Sequence, residues 1–234
     1  MNVVITGASR GLGKAMADGF AALGYNLYLS SQHDLSLYRA VEDLTRKCPS
    51  VSIKAKPFDL SISGEAKALG QWILDFRVIP DILINNAGQF LPGSVHEEKE
   101  GTLEQLIEVN LYSAYHLTRT LLPQMMKQRR GHIFNICSIA SLQAYANGGS
   151  YSISKFALAG FSRNLREEMK PYGIRVTAVY PGATFTDSWA SSGMDKMRFM
   201  EAEDIAQMVI ASSRLSPQAC VEDIILRPQT GDIE

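Results

Sequence analysis

The chain has 234 residues, of which 46% are hydrophobic, and its formal net charge at pH 7 is -1. This length and apolar content suffice for one substantial hydrophobic core, and the balanced charge argues against a nucleic-acid or anionic-membrane surface. Because the first apolar run begins within a few residues of Met1 and no run approaches bilayer length, we expect neither a signal peptide nor a membrane span, and we predict a cytoplasmic protein.

A glycine-rich turn joins the first predicted strand to the first predicted helix. Thr6-Gly7-Ala8-Ser9-Arg10-Gly11-Leu12-Gly13 directly follows an apolar, β-branched run, and apolar residues then recur at helical spacing from Leu12 to Leu23. Glycines at such a turn allow the backbone to approach a pyrophosphate, and the free N–H groups at the helix start face that anion. This context favours a phosphate-binding turn over an ordinary tight loop.

Strand and helix signals alternate along the rest of the chain. Short apolar runs predict strands at 3–6, 26–30, 51–55, 82–85, 132–137, 175–180 and 222–226. Helical periodicity between them predicts helices that include 35–47, 62–76, 102–127, 151–169 and 203–213. The alternation predicts an α/β fold, with about seven parallel strands in a doubly wound sheet and helices on both faces, in a single domain of residues 1–234.

Polar or glycine-containing segments follow four of the predicted strands. Gly7, Asn86, Ser138 and Pro181 each come just after a strand. In a parallel α/β sheet, ligands bind beyond the carboxyl ends of the strands. We therefore expect these segments to meet in one site at that edge.

The cysteines give no sign of a metal centre. Cys48, Cys137 and Cys220 form no C-x-x-C pair and have no histidine at metal-ligand spacing. We predict no metal and interpret all three as reduced structural residues, although Cys137 directly precedes Ser138 and would lie at the wall of the predicted site.

Tyr151 and Lys155 stand four residues apart in a predicted helix, and Ser138 ends a predicted strand. Residues at i and i+4 share one helix face, so the Lys155 ammonium would lie near the Tyr151 phenol. A nearby cation lowers the pKa of a phenol, and a proton donor with a pKa closer to neutral suits the reduction of a carbonyl. On its own, this pair is more typical of an ordinary amphipathic helix with a buried Tyr and an exposed Lys, because the spacing is common by chance.

The whole chain resembles the short-chain dehydrogenase/reductase family from Val3 to about Arg227. The resemblance is carried by T-G-x-x-x-G-x-G at Thr6 to Gly13, Asp59-Leu60, Asn85-Asn86-Ala87-Gly88, Asn110, Ser138, Y-x-x-x-K at Tyr151 and Lys155, and Pro181-Gly182. It implies a Rossmann-like dinucleotide-binding reductase domain that acts on a small carbonyl or alcohol.

Four residues have catalytic roles by this resemblance. Tyr151 donates the proton to the substrate oxygen, Ser138 hydrogen-bonds the same oxygen, and Lys155 lowers the phenol pKa and holds the nicotinamide ribose. Asn110 anchors a water that connects Lys155 to solvent. From the residues alone, Asn110 is equally well explained as a satisfied polar side chain on the flank of its helix.

The end of the second strand bears on the choice of dinucleotide. Ser30-Ser31-Gln32-His33 contains no acid, whereas a carboxylate there would repel the 2′-phosphate of NADP. We therefore expect NADP(H) rather than NAD(H), although relatives often carry an arginine where Gln32 stands. The implied cofactor contacts are Gly7, Ser9, Arg10, Gly11, Leu12, Gly13, Ser30, Ser31, Asp59, Leu60, Asn86, Ala87, Gly88, Tyr151, Lys155, Pro181, Gly182, Thr184 and Thr186.

The substrate side is less well determined by the sequence. The segment 183–200 contains Trp189 and several methionines, and is interpreted either as a lid over the substrate or as a short helix packed on the core. Segments 182–189 and 221–233 resemble sepiapterin reductase-like members of the family, which implies a pterin with a diketo side chain that contacts Ser138, Tyr151 and Trp189.

Two other functions remain open at this point. The glycine turn also resembles 3-oxoacyl-acyl-carrier-protein reductases, and a catalytically silent protein that senses a dinucleotide would use the same fold. By resemblance we expect a homodimer or homotetramer that pairs through helices 102–127 and 151–169, with Phe156, Leu158 and Phe161 either at that interface or in the core.

Overall fold

The computed structural model describes residues 1–186 and 193–232. Their strands form one seven-stranded sheet in the order β3-β2-β1-β4-β5-β6-β7, and every neighbouring pair is parallel. The strands are β1 Asn2–Thr6, β2 Asn26–Ser31, β3 Ile53–Pro57, β4 Ile82–Asn85, β5 Gly131–Ile136, β6 Ile174–Pro181 and β7 Asp223–Leu226. The predicted α/β fold with about seven parallel strands is confirmed.

Helices cover both faces of this sheet. They are α1 Gly11–Ala22, α2 Asp34–Lys47, α3 Glu65–Asp75, α4 Thr102–Ile107, α5 Ser113–Gln128, α6 Gly149–Met169 and α7 Ala202–Ser213. One hydrophobic cluster joins α1, α2 and α7 to the sheet, and a second cluster joins α3, α5 and α6 to its other face. Each helix buries its apolar stripe, which explains why the helical periodicity predicted these elements.

The strand order reverses between β1 and β4, and this reversal creates the crevice for a ligand. Side chains and backbone lock the two strand ends together. Thr6 Oγ1 accepts hydrogen bonds from the amides of Asn86 at 3.0 Å and Ala87 at 2.9 Å. Asn86 Nδ2 donates to the Thr6 carbonyl at 2.9 Å and to the Gly7 carbonyl at 3.1 Å. The two loops that leave β1 and β4 are therefore fixed relative to each other.

The predicted helix 102–127 is interrupted. Between α4 and α5, residues Glu108–Tyr112 form a π-helical turn with Asn110 at its centre. A π turn inserts one extra residue and redirects the side chains around it. Asn110 is thereby buried, with only 1% of its surface exposed.

Three apolar residues of α6 divide between core and surface. Leu158 is buried and Phe161 packs against the core, whereas 44% of Phe156 is exposed. Within the described ranges, no helix has both the length and the apolar character to cross a bilayer.

Candidate active site

Ser138 follows β5 and is held in a short capped turn. Its hydroxyl oxygen accepts a hydrogen bond from the Ala140 amide at 3.1 Å, and its own amide donates to Ser141 Oγ at 3.2 Å. These reciprocal bonds form a capping box on the 3₁₀ turn Ile139–Ser141. The Ser138 hydroxyl is thus fixed at the carboxyl edge of the sheet.

Tyr151 and Lys155 project from the first turns of α6 towards this serine. Lys155 Nζ donates to the Ile136 carbonyl at 2.9 Å, and it lies 5.9 Å from the centroid of the Tyr151 ring. The Ser138 side chain interacts with the Tyr151 hydroxyl. The structure therefore brings these three predicted residues together at the end of β5.

The pKa values of this pair differ from the sequence-based expectation. Burial raises the pKa of Tyr151 to about 12, although the interaction with Ser138 lowers it. Burial also lowers the pKa of Lys155 to about 8. The expectation of a lowered phenol pKa is therefore wrong for the net value, because burial dominates at Tyr151 and Lys155 Nζ is directed at the Ile136 carbonyl.

Asn110 lies beside this group and is fully hydrogen-bonded. Its Oδ1 accepts from the Gln89 amide at 2.8 Å, and its Nδ2 donates to the Gln89 carbonyl at 3.0 Å and to Ser154 Oγ at 2.9 Å. A side chain on Gly88 would approach Asn110 Oδ1 to 2.9 Å and Lys155 Nζ to 3.3 Å. Asn110 therefore fixes the segment after β4 against α6, and its proposed role in holding a water remains a prediction.

The glycine turn leaves no room for side chains. A Cβ on Gly13 would lie 2.8 Å from the Gly7 carbonyl carbon, and closer still to its oxygen. Gly7 and Gly11 have φ of +64° and +54°, which is the left-handed region that favours glycine. The side chain of Arg10, the N-cap residue of α1, makes no cap hydrogen bond to the first turn of that helix. Its N–H groups therefore face a cradle formed by backbone, which suits a pyrophosphate.

Hydroxyl groups converge where β2 ends beside this cradle. Ser9 Oγ and Ser31 Oγ are 2.8 Å apart, and the buried Ser30 Oγ has no protein partner within the described residues. Arg10 lies at the start of α1. These groups fit the ribose and 2′-phosphate side of a dinucleotide.

Asp59 and Leu60 lie at the end of β3. Burial opposes ionisation of Asp59, but hydrogen bonds from Ser61 and Gln32 lower its pKa. Gln32 Nε2 donates to Asp59 Oδ2 at 3.0 Å. Gln32 therefore contacts the end of β3, while Leu60 is buried in the core.

The loop after β6 lies over the glycine turn. The Gly182 amide donates to the Leu226 carbonyl at 2.8 Å, and buried Thr184 donates from its hydroxyl to the Gly182 carbonyl at 3.0 Å. A Cβ on Gly11 would come within 3.2 Å of Thr186 Cγ2. Thr186 therefore lies next to the cradle, at the end of the segment that contains Pro181, Gly182 and Thr184.

The proposed lid is described only in part. Trp189 lies outside the described residues, so its predicted contact with substrate is untested. On the two sides of that gap, Phe185 and Phe199 pack edge to face with ring centroids 5.8 Å apart. Phe199 and Met200 are buried, whereas 85% of Met197 is exposed.

Two aromatic residues near the phenol were missed by the sequence analysis. Phe90 packs edge to face on Tyr151 with ring centroids 4.8 Å apart, and the Tyr145 phenol is close enough to raise the Tyr151 pKa. Both are partly exposed, at 38% and 47%. Phe90 lies two residues after Gly88, and Tyr145 lies six residues before Tyr151. Their closeness in sequence to these two motifs is the feature that could have indicated a place in the site.

The chain is similar to known proteins over nearly its whole length. A family model described as short chain dehydrogenase matches residues 1–196. The sepiapterin reductase of Chlorobaculum tepidum is 31% identical, over 99% of this chain and 98% of that protein.

Solved structures show the same fold. A metagenomic short-chain oxidoreductase in complex with NADP has a TM-score of 0.85 and 30% identity, and the match covers 98% of this chain and 97% of that one. The L-sorbose reductase of Gluconobacter frateurii, complexed with NADPH and L-sorbose, has a TM-score of 0.89 and 25% identity, with 97% and 95% covered. The chain therefore belongs to the short-chain dehydrogenase family and is an oxidoreductase.

Proposed function

We propose that this protein is an NADP(H)-dependent carbonyl reductase that transfers hydride between the nicotinamide and a small ketone. The observation that carries the proposal is the meeting of Ser138, Tyr151 and Lys155 at the carboxyl edge of β5, beside the crevice between β1 and β4. When bound, NADPH supplies the hydride. The protein residues supply binding, alignment and the proton.

The residues that would hold the dinucleotide surround that crevice. The backbone of the glycine turn would hold the pyrophosphate, and Ser9, Arg10 and Ser31 would hold the 2′-phosphate. Asp59 and Leu60 would line the adenine side, Asn86 to Gly88 the adjoining ribose, and the loop from Pro181 to Thr186 the carboxamide. NADP-complexed relatives support this choice.

Tyr151 would act as the proton donor. A pKa of about 12 keeps the phenol protonated at neutral pH, which is the state required of an acid in carbonyl reduction. Ser138 would donate a hydrogen bond to the substrate oxygen and align it with the phenol. Lys155 would hold the nicotinamide ribose and stabilise the phenolate left after transfer. Asn110 would anchor a water that connects Lys155 to solvent, so that the donated proton can be replaced.

For the substrate we propose a pterin with a diketo side chain. The Chlorobaculum tepidum relative is a sepiapterin reductase. In addition, Phe90 and Tyr145 flank the phenol with partly exposed rings, which suit a planar heterocycle. Trp189 is proposed as a further substrate contact.

The test is NADPH oxidation by the purified protein with a panel of ketones. Sepiapterin and linear diketones should be reduced, and Tyr151→Phe should lower kcat by about 10²- to 10⁴-fold, since that is the usual contribution of a general acid. Because Tyr151 is also a proposed cofactor contact, the NADPH Kd of the variant is measured separately from its kcat. Preferential turnover of 3-oxoacyl thioesters would indicate the acyl-carrier-protein reductase alternative, and NADPH binding without turnover of any carbonyl would indicate a silent sensor.

We further propose that residues 1–234 form one domain with a substrate lid at about 183–200, and that the protein works in the cytoplasm as a homodimer or homotetramer. Exposed apolar side chains support pairing, namely Ile153 and Phe156 on α6 and Tyr112 at the end of the π-helical turn before α5. Sedimentation at micromolar protein tests the assembly, and a monomer would contradict it.

A further inference from the structure

The helix that carries Tyr151 has no cap of its own. The N-cap residue of α6 is Gly148, which has no side chain to bond the first turn, and that turn contains no acidic residue. The first N–H groups of a helix have no partner inside the helix, and an unfastened first turn frays. Tyr151 lies in this first turn, so its position depends on whatever holds the helix start.

Glu98, in the loop between β4 and α4, supplies the missing acceptors. Its Oε1 accepts a hydrogen bond from the Ser150 amide at 2.8 Å, and its Oε2 accepts one from Ser150 Oγ. Ser150 is buried, with 3% of its surface exposed. A carboxylate at this end of a helix is also favoured by the helix dipole. Glu98 therefore caps α6 from a distant part of the sequence.

The same loop is fastened to the approach to α6 at two more points. The Gly93 amide donates to the Asn147 carbonyl at 3.0 Å, and Ser94 Oγ donates to Asn147 Oδ1 at 2.7 Å. A Cβ on Gly149 would collide with Glu98 Oε1 and the Gly93 carbonyl. The loop and the helix start thus fit together closely around Glu98.

We propose that Glu98 is a positioning residue that holds the Tyr151 hydroxyl in register with Ser138. The inference rests on the proposed reduction, in which Tyr151 is the proton donor. Asn110 fixes the next part of the helix through Ser154, whose hydroxyl also bonds the Tyr151 carbonyl at 2.7 Å. Glu98 holds Ser150, the residue directly before Tyr151. Tyr151 is therefore fixed by contacts that precede it and follow it in the helix.

Glu98→Ala should lower kcat by roughly ten- to a hundredfold, because a displacement of about 1 Å in a reacting group has effects of that order. The NADPH Kd should stay within about twofold, since Glu98 touches none of the proposed cofactor contacts. Glu98→Gln retains an acceptor for the Ser150 amide and should restore kcat to within about fivefold of the wild type. Glu97→Gln, at the exposed neighbouring position, is the matched control and should be unchanged.

Amide exchange gives a readout that needs no turnover. The Ser150 amide should exchange about tenfold or more faster in Glu98→Ala than in the wild type or Glu97→Gln, because it loses its acceptor. If Glu98→Ala does not fold, Ser150→Ala removes one of the two contacts and should lower kcat by about three- to tenfold.

The proposal is overturned if kcat stays within about twofold of the wild type in both Glu98→Ala and Ser150→Ala, or if the loss in Glu98→Ala lies only in NADPH affinity. It is also overturned if Glu97→Gln loses as much. A wild type that reduces no carbonyl would refute the proposed function instead, and exchange of the Ser150 amide would still show whether Glu98 holds the helix.

Discussion

Lys155 and Tyr151 lie on one face of α6, yet burial moves their pKa values in opposite directions. The phenol is kept neutral and the amine is made easier to deprotonate, since burial disfavours whichever form carries charge. At neutral pH, the pair therefore consists of a protonated phenol and a charged amine that is poorly solvated. A buried charge of this kind is maintained at the expense of stability, as is common at functional sites.

Lys155→Met should therefore raise the free energy of unfolding at pH 7 while reducing turnover. A pKa lowered from 10.5 to about 8 corresponds to a penalty of about 3 kcal/mol for the charged form. Loss of the hydrogen bond to the Ile136 carbonyl offsets roughly 1 kcal/mol of this. The expected net gain is about 2 kcal/mol, measured by urea unfolding.

The stability of the wild type should also depend on pH through Lys155. Between pH 8 and 10.5 the unfolded state binds the proton of Lys155 more tightly, so the stability of the wild type should rise with pH in that window. Lys155→Met should lack this rise. A variant that is less stable than the wild type at pH 7 would show that the amine is better solvated in the fold than its burial indicates.

The choice of dinucleotide can be tested at Ser31. This residue ends β2 beside Ser9, and Ser31→Asp would place a carboxylate where the 2′-phosphate of NADP is proposed to bind. Repulsion should lower kcat/KM for NADPH by tenfold or more, with kcat/KM for NADH maintained or increased. Ser52→Asp is the control, because it adds the same charge directly before β3, at the amino end of the strands and away from the proposed phosphate site. An equal loss with both dinucleotides would contradict the assignment.

Hydrophobic periodicity predicted the sheet and most of the helices, but it did not predict the break in helix 102–127. The π turn at Glu108–Tyr112 keeps the residues before and after it helical, so the apolar pattern continues through it. Asn110 was the visible irregularity, since asparagine is a poor helix former. Its partners lie on the loop after β4 and on α6, and contacts between distant segments cannot be read from local spacing.

The loop between β4 and α4 contains other site residues that the sequence patterns did not predict. It has no regular structure and no periodicity, yet it contains Phe90, which packs on Tyr151, and Glu98, which caps α6. Sequence patterns assign residues to faces of helices and strands, but they do not specify which helix end an irregular loop reaches. The side-chain pKa values were also beyond prediction, because they depend on burial in the assembled fold.

The glycine turn should not tolerate a side chain at Gly13. Gly13→Ala would force a Cβ to within 2.6 Å of Asn86 Nδ2 and 2.8 Å of the Gly7 carbonyl carbon. The backbone must shift, so we expect a loss of about 2–4 kcal/mol in stability and weaker NADPH binding by tenfold or more. Gly160→Ala is the matched control, because nothing lies within 4 Å of its Cβ and alanine favours a helix by about 0.5–1 kcal/mol. Equal effects of the two changes on the melting temperature would contradict this prediction.

One buried histidine makes the stability of the whole fold depend on pH. His132 lies on β5 at the centre of the fold with 1% of its surface exposed. Its Nε2 is 2.7 Å from Thr177 Oγ1 on β6, and its ring stacks on Phe134. Burial, and to a lesser degree the charge of Arg175, lower the pKa of His132 to about 2. The imidazole is therefore neutral in the folded protein near neutral pH, and its protonation disfavours the folded state.

Because the folded pKa of His132 is lowered, its contribution to stability is lost as pH falls below the unfolded value of 6.5. Each pH unit below that value costs about 1.4 kcal/mol down to about pH 2, so the loss between pH 6.5 and 5 is about 2 kcal/mol. His132→Gln keeps a polar partner for Thr177 without a proton to gain. Urea unfolding of both proteins at pH 7 and 5 isolates the effect, since the carboxylates they share titrate alike. The wild type should lose about 2 kcal/mol more than the variant, and parallel losses would mean that protonation of His132 does not limit acid stability.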